Sequence, residues 1–380
     1  MVNPQNKLKN PTFFIVAGEA SGDLHGAQLI NAIKNRCPQS RFVGHGGDKM
    51  AAAGLERIIH IDRLAIMGFS EVIKHLPFMM RAMKESLAIV RKLKPDRIIL
   101  IDYPGFNLRL AKKIHGMKLP VTYFILPQLW AWKENRIKTF KKHIDQALSI
   151  FPFEQDWFEK HGVAVNFVGH PFSEIEAPKI NKEKFLLKHN LNTTDQILVL
   201  LPGSRQQEID KHWDICWKTV ALLRYQKPNL KVIVGKASGV VIPQNIQGLL
   251  FEEDEIRAAM AFGTAALTAS GTATLECAAL DIPQVVFYKL SRISGIIAKK
   301  LNKAPFAAMV NLIAGKKVVP EFLQKDATEK NIAAALSPLL ESSHKRKAML
   351  SGYNEIRRSL GIPGVYLRAA DLILKKTSHG

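Results

Sequence analysis

The chain has 380 residues, with 54 Lys and Arg against 33 Asp and Glu and a net charge of +21; that length predicts two domains, each with its own core. Hydrophobic residues make up 47% and charged ones 23%, which excludes a disordered or fibrous chain. Three scattered cysteines, Cys37, Cys216 and Cys277, without a C-x-x-C spacing, exclude a disulfide scaffold or zinc module and predict a reducing, cytoplasmic setting.

The N-terminal segment lacks the apolar run of a secretory signal. Residues 13–17 then read as a buried strand and residues 24–33 as an apolar-periodic helix. Between them, Gly18, Glu19, Ala20, Ser21, Gly22 and Asp23 form a tight small-residue loop. Such a loop lets backbone and helix dipole approach a ligand. It matches neither G-x-G-x-x-G nor G-K-[ST], and Glu19 and Asp23 would repel a phosphate. Two readings stand: a substrate loop, or a plain turn capped by Ser21 or Asp23.

Further strands are predicted at 41–43, 97–101, 121–125, 147–150 and 165–168, with helices at 70–92 and 107–115. Basic and apolar residues interleave over 78–84 and 89–94. Such a helix can lie on an anionic membrane surface, or simply turn a solvated cationic face outward from a core. Nucleic acid is the other partner for a basic chain, but no zinc finger, helix-turn-helix or RNP-type motif is present. Strand 97–101 leads into Asp102-Tyr103-Pro104-Gly105-Phe106-Asn107. A carboxylate there is placed to act as a general base, or to organise the loop and cap the next helix.

The turn Val168-Gly169-His170-Pro171 and the polar stretch 173–192 mark a domain boundary. A second alternating series follows, with strands at 197–201, 231–234, 249–251, 265–268 and 284–287. Residues from 327 onward read as three helices broken near 338–343 and 362–363. Alternation in both halves predicts an α/β protein of two doubly wound parallel sheets facing a cleft. The uncharged window 258–275 reads as strand, glycine loop and helix start, not as a membrane span. Glu252-Glu253-Asp254-Glu255 reads as acids in a first helical turn.

Two loops of the second half suit an anion. Pro202-Gly203-Ser204-Arg205 joins a strand to a helix and offers amides, a hydroxyl and a guanidinium fork. Ser270-Gly271-Thr272-Ala273-Thr274 repeats that logic, with Glu276 one turn into its helix to accept a ribose diol. Each is also explicable as an ordinary helix start. Together they point to a nucleotide-diphosphate donor. Without D-x-D or H-E-x-x-H, no metal and no cofactor are predicted.

These segments, in this order, resemble the lipid-A-disaccharide synthase family. The resemblance rests on residues 17–23, Gly44-His45-Gly46-Gly47, Met67-Gly68-Phe69-Ser70-Glu71-Val72, Asp102 to Asn107 and Pro127-Gln128-Leu129-Trp130-Ala131-Trp132 with Arg136. It continues through Pro152-Phe153-Glu154, residues 168–171, residues 201–205, residues 270–276 and Val319-Pro320-Glu321. Gly105 stands where many members carry a second Asp, which leaves Asp102 as the acid of that motif.

The resemblance implies a metal-independent, inverting GT-B glycosyltransferase of a Gram-negative bacterium. It would move 2,3-diacylglucosamine from UDP-2,3-diacylglucosamine to 2,3-diacylglucosamine 1-phosphate, giving the β-1′,6-linked disaccharide 1-phosphate and UDP. It implies an acceptor-binding, membrane-facing domain at 1–170, a donor-binding domain at 171–345, and C-terminal helices at 346–380 packing back on the first. UDP would contact Gly203, Ser204, Arg205, residues 270–274, Glu276 and Asn311, while Asp102 takes the proton of the acceptor 6-hydroxyl. Gly18, Glu19, Ser21, Gly22 and Asp23 would wall the acceptor. Peripheral attachment to the inner face of the cytoplasmic membrane, and a homodimer exchanging C-terminal parts, are also implied. Another GT-B UDP-sugar enzyme and a basic nucleic-acid-binding protein are the alternatives.

Overall fold

A computed structural model describes residues 10–64, 69–131, 133–175, 178–243, 247–290 and 304–377. The chain divides into one compact unit of residues 1–171 with 362–380, and a second of residues 172–361.

The first unit starts with β1 (Thr12–Val16), α1 (Ala20–Arg36), β2 (Arg41–Gly46), α2 (Asp48–Ala52) and β3 (Leu55–His60). It continues with α3 (Ile61–Leu64), α4 (Phe69–Leu93), β4 (Arg97–Ile101), α5 (Pro104–Ile114) and β5 (Val121–Phe124). After these come α6 (Ile137–His143), β6 (Gln146–Ser149), α7 (Pro152–Lys160) and β7 (Val165–Phe167). All strands pair in parallel, in the order β3-β2-β1-β4-β5-β6-β7. The strand interiors are almost wholly apolar and buried, as a sheet covered on both faces requires. The order reverses between β1 and β4, where Val16 pairs with Leu100. The carboxyl ends of those two strands therefore open a crevice.

The second unit holds α8 (Lys182–Lys188), β8 (Ile197–Leu201), α9 (Gln206–Gln226), β9 (Lys231–Gly235), β10 (Leu249–Glu252) and α10 (Ile256–Phe262). Next are β11 (Ala265–Ala269), α11 (Thr272–Ala279), β12 (Gln284–Tyr288), α12 (Met309–Ala314) and β13 (Glu321–Leu323). Two helices close it, α13 (Glu329–Leu336) and α14 (His344–Ser359). Its parallel order is β10-β9-β8-β11-β12-β13, with the reversal between β8 and β11. The uncharged window 258–275 is the end of α10, Gly263, β11 and the start of α11. Among the described residues no helix is long and apolar enough to cross a membrane.

The return of the chain lies later than the expected 345/346 division. α14 packs on α11 and α12 of the second unit, and Tyr353, fully buried there, donates to the Ile282 carbonyl. Glycines with positive φ, Gly361 (87°) and Gly364 (97°), then turn the chain. Only α15 (Val365–Thr377) joins the first unit, against α1. There Arg36 pairs with Asp371 at 2.8 Å, and buried Arg97 donates to Thr377 Oγ1 and the Lys376 carbonyl.

Two strands escape the sequence pattern. β3 carries Glu56 and Arg57 on exposed positions of an edge, and β13 has three residues. The strand predicted at 41–43 runs on to Gly46 because Gly44 sits at φ 153° against the Ile15 carbonyl, where a Cβ would lie 1.9 Å from that oxygen.

Candidate active site

In the first unit, both loops of interest emerge at the β1/β4 reversal. After β4, Asp102 and Tyr103 occupy the left-handed region in succession (φ 43° and 48°) before Pro104 opens α5. Non-glycine residues held there store strain and mark functional sites. The conformation is fixed from three sides. Asn107 Nδ2 donates to the Ile101 and Asp102 carbonyls (3.2 and 2.8 Å), the Tyr123 hydroxyl donates to the Asp102 carbonyl, and the Tyr103 hydroxyl donates to the Leu64 carbonyl at 2.7 Å. Tyr103 lays its ring over Gly18, where a Cβ would come 2.3 Å from ring carbons. The two sequence-predicted segments are thus in contact, and Gly18 is required by that contact.

Burial pushes the Asp102 carboxyl up to about 6, and the nearby Glu19 charge adds to the rise against a hydrogen bond from the Tyr103 amide. That range suits a general base. Its backbone carbonyl also organises the loop, accepting from Asn107 and Tyr123.

Asp23 behaves otherwise. It is buried, and its carboxylate accepts from the amides of Gly47 (2.7 Å), Lys49 (3.1 Å) and Met50 (3.0 Å). It thereby caps α2, and the Gly44–Gly47 segment is shaped around it. Gly47 has no room for a Cβ, which would lie 2.5 Å from Asp23 Oδ2. The Asp23 carboxylate is therefore committed to the start of α2 and is not the cap of α1. The α1 N-cap is Glu19, without a side-chain capping bond. Glu19 and Ser21 keep solvent access beside Gly18, and Gly22 packs against Ala17.

Glu154 is a residue for which the local sequence gives no chemical cue. It is 0% exposed, and its carboxyl meets Trp130 Nε1 at 3.2 Å and Ser149 Oγ at 2.6 Å. Burial pushes it up to about 8, against the bonds to Ser149 and Trp130, with Asp102 adding a smaller upward push. The Ser149 hydroxyl also faces the Phe151 carbonyl (2.9 Å) and accepts from the Phe151 amide (3.0 Å). The single Ser149 proton cannot serve both acceptors; with Glu154 protonated, its O–H donates to Ser149 Oγ and the Ser149 hydroxyl donates to the Phe151 carbonyl. Glu154 is thus a neutral acid that fixes the Trp130 loop beyond β5.

In the second unit the β8/β11 reversal likewise brings its two loops together. Gly203 (φ 135°) and Ser204 lead into α9, whose N-cap is Arg205. Glu208 takes the Ser204 amide at 3.0 Å, and a Cβ on Gly203 would strike it at 2.6 Å. One of the amides expected for an anion is therefore already used. His212 braces the loop from below. Its Nδ1 donates to the Pro202 carbonyl (2.7 Å) and its Nε2 accepts from the Lys289 amide (3.1 Å), a neutral ring whose pKa burial lowers.

Across the reversal, Gly271 is the N-cap of α11 at φ 157°, Gly271 and Thr272 are exposed, and Ala273 is half-buried. The first amides of a helix have no partner within it, so this end can receive an anion. Thr274 turns inward and its hydroxyl donates to the Gly271 carbonyl at 2.8 Å. Ser270 donates to the Ala307 carbonyl at 3.0 Å, and Glu321 accepts from the Ala307 and Ala308 amides. Glu276 pairs with Arg257 at 2.6 Å, a partner that sequence spacing does not reveal.

Comparison with known proteins now decides the family. The profile described as lipid-A-disaccharide synthetase matches residues 13–364. The lipid-A-disaccharide synthase of Acidobacterium capsulatum is 38% identical over 374 residues, covering 93% of each chain. That of Myxococcus xanthus is 35% identical over 100% of both. The chain belongs to the lipid-A-disaccharide synthase family. Among solved structures, the glycotransferase of kitacinnamycin shares the fold at a TM-score of 0.66 and 12% identity, over 97% of this chain and 100% of that one. The UDP-GlcNAc 2-epimerase of Neisseria meningitidis, bound to UDP-GlcNAc, matches at 0.63 and 11%, over 97% and 99%. Both parallel sheets are thus those of the GT-B fold.

Two family positions change meaning in the structure. Asn311 is 0% exposed, its Oδ1 accepts from the Val318 and Val319 amides (2.8 and 2.9 Å), and its Nδ2 donates to the Val319 carbonyl at 3.0 Å. It closes the turn before Pro320, and both lone pairs of its Oδ1 are spent on that turn. His45 of the glycine-rich motif is buried, with Nε2 on Ser86 Oγ at 2.7 Å, and burial lowers it to about 4. Of the other family segments, Met67, Gly68 and Trp132 lie outside the described residues, and residues 69–72 begin α4.

The acidic run also reads differently. Glu252 ends β10, buried, and accepts from Lys188 Nζ (2.7 Å) and His189 Nε2 (2.8 Å). Its run precedes α10 instead of forming its first turn, because strand pairing with β9 extends to Glu252.

Proposed function

We propose that this member of the family transfers 2,3-diacylglucosamine from UDP-2,3-diacylglucosamine to the 6-hydroxyl of 2,3-diacylglucosamine 1-phosphate, with inversion, releasing UDP. The observations that carry the reading are a strained, half-buried carboxylate at the switch point of the first unit and, in the second unit, anion-receptive loops at its own switch point. Asp102 accepts the hydroxyl proton as that oxygen forms the new bond to the anomeric carbon. The bond from that carbon to the diphosphate breaks, and its electron pair leaves with UDP. Ser204, Arg205 and the first amides of α11 offset the charge gathering on the diphosphate, and Glu276 receives the ribose. Gly18, Glu19 and Ser21 form the wall beside Asp102 on which the acceptor rests.

The first unit also supplies the membrane-facing surface. α4 turns Ala82, Met83, Ser86 and Val90 inward and leaves Leu76 (48%) and Met80 (57%) exposed beside Arg81 and Lys84. Apolar groups ringed by cations suit the edge of an anionic bilayer, where both acylated sugars reside.

The test is turnover by the purified protein. With both acylated substrates, UDP and a disaccharide monophosphate should appear together by mass spectrometry. UDP release without that disaccharide, or conversion of UDP-N-acetylglucosamine to an epimer, would overturn the assignment.

A further inference from the structure

Arginines that lose solvent need partners, because an unpaired charge in a low-dielectric setting is costly. Six arginines among the described residues are buried or partly buried: Arg97, Arg136, Arg224, Arg346, Arg357 and Arg368. Five satisfy the rule. Arg97, Arg224, Arg346 and Arg368 donate to backbone carbonyls, and Arg357 meets Asp281. Arg136 does not. No hydrogen bond or ion pair reaches its guanidinium from the described residues, and the charged group beside it is another cation, Arg109. Among the described residues, Arg109 is equally without a carboxylate partner. The acid nearest in sequence, Glu134, lies instead against His161 at 3.4 Å.

The pair is built by two helices. α5 buries Phe106, Leu108, Leu110 and Ala111, which sends Arg109 outward, and α6, which packs beside it, has Arg136 as its N-cap. Arg136 also lies near Tyr123, whose hydroxyl holds the Asp102 carbonyl. Two guanidinium forks with no internal anion, one of them partly desolvated, therefore adjoin the loop of the general base.

We infer that Arg109 and Arg136 form a phosphate-ester subsite that receives the anomeric phosphate of the acceptor. Guanidinium forks match phosphate oxygens in pairs. In a hexopyranose, C1 and C5 flank the ring oxygen, so a phosphate on C1 sits next to the 6-hydroxyl borne through C5. A subsite adjoining Asp102 is where that phosphate falls when the hydroxyl reaches the base. The inference rests on the transferase reading. A phospholipid headgroup offers the same phosphate-ester chemistry, and the test separates the two sources.

Wild type, Arg109→Ala, Arg136→Ala and Arg136→Lys are compared with an acceptor bearing the anomeric phosphate and with one ending in a free anomeric hydroxyl. Each alanine variant should raise the KM for the phosphorylated acceptor roughly 10- to 100-fold, leave the KM for the UDP-sugar unchanged, and narrow the preference for the phosphate. Arg136→Lys should recover part of the loss. Equal effects on both acceptors, or none, overturn the subsite. Sedimentation with phosphatidylglycerol vesicles should not change; lost vesicle binding with an intact acceptor preference assigns the pair to headgroups and overturns it too. Titration with glucosamine 1-phosphate, followed by NMR, is independent of turnover. Wild-type inactivity defeats the transferase reading alone, saturable binding abolished by Arg136→Ala upholds the phosphate site, and binding that survives both alanine variants defeats it.

Discussion

The two units repeat one topology with opposite chemistry at the reversal of strand order. In the first, the β1/β4 crevice is acidic and strained: Asp102 and Tyr103 sit left-handed, Glu19 faces them, and a tyrosine ring covers Gly18. In the second, the β8/β11 crevice is made of hydroxyls, exposed helix-start amides and Arg205. A switch point fixes where a ligand can sit, but the residues after each strand decide which charge it carries. The first crevice is suited to removing a proton, the second to receiving a departing anion.

The sharpest way to break this division is Asp102→Asn. Transfer should fall about 10²–10⁴-fold, while UDP affinity measured by calorimetry stays the same. Activity above a tenth of wild type would end the general-base role. Because the carboxylate is the active form and burial holds Asp102 at about 6, kcat/KM should rise with pH through that value and then level off. A rising limb near 4 would place the base elsewhere.

Arg205→Ala addresses the other crevice. Loss of a charge-assisted contact to the diphosphate should weaken UDP binding roughly 10- to 100-fold, with acceptor KM untouched. Unchanged UDP affinity would remove Arg205 from the donor site and leave the α11 amides as its anion receptor.

Much of this was legible in the sequence, for a local reason. Strands of uninterrupted apolar residues, punctuated by Gly, Pro and small hydroxyl residues, announce both the sheets and the loops at their carboxyl ends. What the sequence hides is the partner from far along the chain. Asp23 and Glu19 look alike in one loop, yet only Asp23 reaches the Gly47–Met50 amides and leaves the surface. Asn311 sits among family residues but spends its side chain on Val318 and Val319. Glu154 becomes unusual only because Trp130 and Ser149 enclose it. Likewise α14 stays with the second unit because Tyr353 finds a buried acceptor there, which periodicity does not encode.

Gly18→Ala tests whether the first crevice depends on contact between its loops. The added methyl would overlap the Tyr103 ring, an overpacking worth about 1–3 kcal/mol. A lower Tm and impaired transfer with unaltered UDP binding are expected, since Gly18 belongs to the first unit. A variant as active and stable as wild type would show that the ring moves aside freely.

The smallest effects come from the two glutamates that are buried among the described residues, one in each unit, whose pH responses oppose each other. Glu252 is the depressed case: burial works against its charge, but Lys188, the Glu255 amide and His189 hold it at about 2. It stabilises the fold above the ordinary glutamate value, and that contribution is lost as pH falls from there through 2. Lys188 is half-exposed and screened, so Glu252→Gln should cost only about 1 kcal/mol at pH 7 and less at pH 2, where about half of Glu252 is already protonated. Glu154 is the raised case, at about 8. Its contribution is complete below the ordinary glutamate value and is lost as pH climbs through 8. Glu154→Gln keeps a neutral donor for Ser149 and should hold its Tm between pH 6 and 9 while wild type declines. Parallel Tm profiles for wild type and Glu154→Gln would mean that Glu154 is already ionised at neutral pH, and that the Ser149 hydroxyl donates to it and not to Phe151.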